Sequence, residues 1–107
     1  MRKPLALIFL IFSVVGSRAD DLPSPFLGNW NGGAITISST SIRGQEWGCN
    51  FKSVKVLSNG AVVIEMACSA DNSPYKNREM WAIQKIENKE VLIMADSKGI
   101  NVLYRDK

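Results

Sequence analysis

The side chains that could do chemistry are few, and their types narrow the choice. The chain contains no histidine. That removes the commonest general base, the serine and cysteine hydrolase dyads and most zinc sites. The two cysteines, Cys49 and Cys68, lack CxxC spacing, so they read as neither a redox pair nor a metal site. Carboxylate pairs of the kind glycosidases use remain. Glu46 and Glu65 lie near the cysteines, and Glu87 and Glu90 share one short stretch. Nothing in their spacing sets any two across a cleft, so each reads as solvated surface. Trp30, Trp47 and Trp81 could stack on a ligand. Trp30 and Trp81 fall at core periodicity; Trp47, between Gly44 and Gly48 and beside Glu46, is the aromatic candidate for a surface site. No GxSxG, P-loop or GxGxxG occurs in a fitting context. The expectation is a protein that is not an enzyme and uses no cofactor and no metal.

The element that must organise these residues is the stretch Cys49 to Cys68, CNFKSVKVLSNGAVVIEMAC. Its two runs are rich in Val, Ile and Phe, which suit a half-buried pleated surface. Ser58-Asn59-Gly60 between them fits a three-residue hairpin loop with glycine at a left-handed position. Counting outward from Leu57 and Ala61 sets Val56 opposite Val62 and Val54 opposite Ile64, four β-branched residues on one face and all expected in the core. Continued without interruption, the register would oppose Asn50 to Cys68. One extra residue near Lys52-Ser53, a β-bulge, brings Phe51 opposite Met66 and Cys49 opposite Cys68. Apolar alternation slips at the same place. A disulfide between the opposed cysteines follows, worth about 3 kcal/mol in the chain-entropy model. Glu65 falls on the other face and is expected outside.

Around the hairpin the chain reads as short strands. Asp20 to Pro25 is an extended lead-in, because its two prolines disfavour helix and ladder pairing. Phe26 to Trp30 is the first strand, Asn31-Gly32-Gly33 a turn, Ala34 to Ile37 a strand, and Ile42 to Gln45 another. The glycines around Trp47 are expected to allow a bend or bulge into the hairpin. Ser69 to Asn77 (SADNSPYKN) reads as the longest polar connection, with Tyr75, Lys76 and Arg78 at its end as a candidate contact surface alongside Trp47. Arg78 to Ile86, Val91 to Ala95 and Ile100 to Tyr104 follow as strands, with turns at Glu87-Glu90 and Asp96-Gly99. Trp81 and Ile83 share one face, and Ile100, Val102 and Tyr104 share one face. Seven to eight short antiparallel strands with no sustained helical spacing predict an all-β barrel or sandwich.

Met1 to Ala19 has the pattern of an export signal: Arg2 and Lys3, an apolar run from Leu5 to Val15, then Ser17-Arg18-Ala19 as a cleavage site. The run is short for a membrane span, which takes about 20 residues. Of 13 basic and 10 acidic residues, Arg2, Lys3 and Arg18 lie in this segment, so residues 20–107 are formally neutral. The pI near 9.0 therefore gives no reason to expect nucleic acid or an anionic membrane as partner. Export to the periplasm or the medium places the cysteines where disulfides persist. The domain organisation expected is a signal peptide at 1–19, an extended segment at 20–25 and one β domain at 26–107, its oligomeric state open.

Gly28-x-Trp30, the ITISSTSI stretch from Ile35 to Ile42, Glu46-x-x-Cys49-x-Phe51-x-x-Val54, Cys68 and Leu103-Tyr104-Arg105 together resemble small secreted alphaproteobacterial disulfide-bonded β proteins. Many of those carry further cysteines that this chain lacks. That resemblance implies a fold and a compartment and no activity. A second likeness, in the G-x-W start, the single disulfide and a tryptophan strand after the second cysteine, is to lipocalin-like periplasmic metalloprotease inhibitors. It implies that the N-terminal segment enters a protease cleft; here that segment is Leu22, Pro23, Ser24 and Pro25. The functional expectation is an exported binding module, with inhibition of another exported protein as the alternative.

Overall fold

The computed structural model describes residues 21–105; the proposed export signal lies outside them. After a 3₁₀ turn at Ser24–Phe26 come eight strands: β1 (Gly28–Trp30), β2 (Ile35–Ile37), β3 (Ser41–Gly44), β4 (Trp47–Val56), β5 (Val62–Ala70), β6 (Ser73–Ile86), β7 (Lys89–Asp96) and β8 (Gly99–Tyr104). They pair antiparallel, each with the next in sequence, as one eight-stranded meander. The sheet curls into a nearly closed barrel. Such a meander places the β1–β2, β3–β4, β5–β6 and β7–β8 turns at one end and the other turns at the opposite end.

The central hairpin has the register derived above. Cys49 pairs with Cys68, Phe51 with Met66, Val54 with Ile64 and Val56 with Val62, and the register shifts between Phe51 and Ser53. The loop closes through Leu57 N to Ala61 O and Gly60 N to Leu57 O, with Gly60 at φ 90°. Cys49 and Cys68 are joined by a disulfide, their Cα atoms 3.9 Å apart. Phe51 N–H donates to Thr40 O, on the β3 side. By alternation Cys49 also turns its backbone to β3. The bridged pair is therefore a non-hydrogen-bonded one, the closer of the two antiparallel arrangements.

Three expectations need correction. Val56 is 51% exposed, whereas Val54, Val62 and Ile64 are buried. Pairing of β3 with β4 ends at Ser41–Asn50, so among the described residues the tip of β4 has a strand beside it on the β5 side alone, while Val62 is flanked on its other side by Trp81 of β6. Next, Ser69 to Asn77 is not a long loop. β5 and β6 run through it to a two-residue turn at Asp71-Asn72, both residues at positive φ. That is the hairpin geometry that Asn and Asp tolerate. Pro74 is accommodated because this part of β6 pairs only with β5; β7 joins from Met80. Finally, Phe26 lies in the 3₁₀ turn rather than in β1. It still reaches the core beside Trp30, whose indole N–H donates to Phe26 O at 3.1 Å.

The core is centred on Trp30, Ile42, Val62, Ile64, Trp81 and Leu92, all almost fully buried. Phe26 and Phe51 pack on the Trp81 ring, the latter edge-on at 5.7 Å. The face carrying Ile100, Val102 and Tyr104 points outward, and all three are exposed. Cross-strand rows Met80–Ala95–Ile100 and Ala82–Ile93–Val102 continue this outer face as apolar surface.

Candidate functional site

The barrel closes poorly along one line. β8 and β1 meet at the Trp30–Arg105 bridge and at Asn31, which donates its N–H to Tyr104 O (2.7 Å) and accepts from Tyr104 N–H through Oδ1 (2.8 Å). Beyond that point the chain turns away through Asn31–Ala34, closed by Ala34 N to Asn31 O. Glycine at 32 and 33, with φ of 69° and 89°, permits this early departure. Among the described residues, the Gly99 end of β8 is thus left without a second strand beside it.

Arg105 pins the closed part of the seam. Its guanidinium lies over the Trp30 ring at 4.0 Å and pairs with Glu90 at 3.0 Å. It also donates to the carbonyls of Leu27 (2.6 Å) and Pro25 (2.5 Å). One side chain thereby ties β8 to β1, to the N-terminal segment and to the β6–β7 side of the barrel.

Above this clamp a slot of about 330 Å³ opens into the barrel. Ile35, Ile42, Trp47, Met66, Met94 and Leu103 form its apolar walls, and Asn31, Asn101 and Glu79 are its polar groups. Among the described residues Glu79 is the sole charged one lining it. Its carboxylate accepts from Trp81 Nε1 (2.8 Å) and Asn77 Nδ2 (2.6 Å). Partial burial, with the nearby Asp96 charge, raises its pKa above the ordinary carboxylate value in spite of those two hydrogen bonds. Asp96, at the β7–β8 turn, is held below its ordinary value, first by the Lys98 backbone N–H.

Trp47 stands at the mouth of this slot, half-buried and packed against the core. Its ring occupies the space above Gly44, its cross-strand partner; a Cβ at Gly44 would fall 2.0 Å from the indole nitrogen. Gly48 does the same for Arg43, since a Cβ there would meet the guanidinium at 2.5 Å. The glycines make room for side chains, rather than for a bend or bulge in the strand. Trp47 also borders an outer hollow of about 780 Å³ lined by Arg43, Glu46, Asn50 and Asp71. That hollow is broad and open, and Arg43 is already engaged there with Asn50 Oδ1 at 3.0 Å.

The other sequence candidates do not converge on Trp47. Tyr75, Lys76 and Arg78 lie on β6 rather than in a loop. Alternation puts Tyr75 on the Trp81 face and Lys76 and Arg78 on the outer one. Arg78 pairs with Glu65 at 2.5 Å, both largely exposed. Leu22, Pro23, Ser24 and Pro25 are not a free arm. Leu22 is buried in the core and donates its N–H to Ser39 O at 2.9 Å, and Pro25 O is held by Arg105. Glu79 and Asn101 are not marked as site residues by any motif in the sequence, and Arg105 stands there only in a terminal motif with no role attached. Glu79 shares the strand period of Trp81, and that alignment of a carboxylate with a core face was the one signal for it.

Neither a family model, nor a curated protein, nor a solved structure matches the chain.

Proposed function

We propose that the protein is an exported, non-enzymatic binding module, periplasmic or secreted, whose ligand site is the slot at the barrel seam. The observation that carries this reading is the slot's lining: apolar walls with three polar side chains, one of them a carboxylate. Concave, mainly apolar sites with few placed polar groups are the usual form of ligand pockets, and this volume sits at their lower end. The disulfide supports an oxidising compartment. The N-terminal inhibitory strand is the weaker reading, because Leu22 would have to leave the core to enter a protease cleft.

The test is titration with a neutral apolar dye, N-phenyl-1-naphthylamine, followed by dye emission and by quenching of tryptophan fluorescence. Binding is expected in the disulfide-bonded protein and lost in Asn101→Phe, which fills the slot, while circular dichroism stays unchanged. Equal binding by the filled variant would sink the reading.

A further inference from the structure

The slot has one wall of a different kind. Tyr104 directs both backbone groups to Asn31, across the seam, while Arg105 N–H points the other way, to Glu90 O of β7. Backbone direction alternates along a strand, and β8 pairs with β7 without a register shift. Asn101 and Leu103 therefore face β7, and Ile100 and Val102 turn their N–H and C=O groups into the seam. Among the described residues no strand pairs with them there. Val102 carries its side chain on the outer face yet lines the slot, as its backbone edge would. An unpaired run of strand donors and acceptors is a template for another strand. A small apolar molecule would leave these backbone groups unmatched.

Resting on the slot as ligand site, we infer that the seam is a strand-addition site: an extended peptide bearing a basic group lies along β8, hydrogen-bonds Ile100 and Val102, and presents its cation to Glu79. The added strand takes the place that a longer β1 would fill. Main-chain pairing supplies affinity and alternate side chains supply selectivity, as in other strand-addition complexes. Every second peptide side chain enters between Trp47, Ile35, Ile42 and Met94, which favours apolar residues there. Charge selects the remaining contact, because Glu79 is the one charged group among the described residues of the slot. A second folded copy is the poorer fit. Its β8 seam edge lies in the same narrow gap as this one, beside its own Asn31–Ala34 turn, so two barrels cannot bring those edges together as readily as a single extended strand can enter.

A random nine-residue peptide library, selected on the immobilised disulfide-bonded protein, supplies the probe, and the best binder is resynthesised. Amide hydrogen exchange read by NMR is expected to slow by about tenfold or more at Ile100 and Val102 on binding, with Asn101 and Leu103 changed little because β7 already protects them. N-methylation of the peptide at alternate residues should abolish binding, and Glu79→Gln should weaken it by about tenfold. No selected binder, or binders that leave Ile100 and Val102 unprotected, overturns the inference. If N-phenyl-1-naphthylamine still enters the slot in that case, only the peptide assignment fails; if the dye also fails to bind, the slot reading falls with it.

Discussion

Two residues carry most of what is unusual in this molecule, and both are charged. Arg105 joins a cation–π contact, an ion pair and two carbonyl hydrogen bonds in one side chain. Hydrogen bonds to a charged donor are each worth about 1.5–3 kcal/mol and a cation–π contact about 0.5–2 kcal/mol, partly offset by the solvent that reaches the group. Arg105→Ala is expected to lower stability by about 2–3 kcal/mol in urea denaturation, and Arg105→Lys to recover little, since an ammonium cannot span all four partners. Glu79 acts in the opposite sense. Its folded-state pKa is raised, so between the unfolded and folded values the native chain holds a proton that the unfolded chain has lost. Its contribution to stability thus falls as pH rises through that window and stays low above it. Asp96, with a lowered folded-state value, contributes above its unfolded value and loses that as pH falls through the folded one. Thermal melts across the acid range should show Glu79→Gln flattening the upper window only; an unchanged profile would contradict the assignment.

At the scale of elements, the hairpins are set by turn chemistry, and some of that chemistry is imperfect. The β6–β7 turn places Glu87 and Asn88 at φ of 51° and 68°, where an L side chain other than Asn or Asp is disfavoured. Replacing the pair by Asn-Gly is expected to raise stability by about 1 kcal/mol, visible as a higher denaturation midpoint with unchanged cooperativity. The β4–β5 hairpin was legible in the sequence down to its bulge, because residue type, period and the two cysteines constrained one register. The β5–β6 hairpin was not. Asp71, Asn72, Ser73 and Pro74 are all turn formers, and nothing local shows that only the first two turn. Pairing of β6 with the whole length of β5 decides that.

For the whole molecule, the core is small and a single barrel must hold it. A domain of this size buries a modest share of its surface, so the disulfide across the central hairpin matters. Cys49→Ala with Cys68→Ala is expected to cost about 3 kcal/mol, read by denaturant titration against the bridged protein. Closure is uneven: Arg105 and the Trp30–Arg105 bridge hold one end of the seam, and the early turn after Asn31 opens the other. The slot exists because of that mismatch between a three-residue β1 and a six-residue β8.

The amino-acid sequence by itself determined the all-β class, the paired cysteines, the central register and the burial of Trp30 and Trp81, since each follows from side-chain period, turn residues and chain-local geometry. It also placed Trp47 apart from the other two tryptophans. The tertiary structure alone decided which apolar residues stay exposed, as at Val56 and Ile100, because exposure depends on whether a neighbouring strand reaches that far. It likewise decided that Glu79 faces a cavity and that Arg105 clamps the N-terminal segment. Those contacts join residues many positions apart, and no local pattern records which strand ends will meet when the sheet curls.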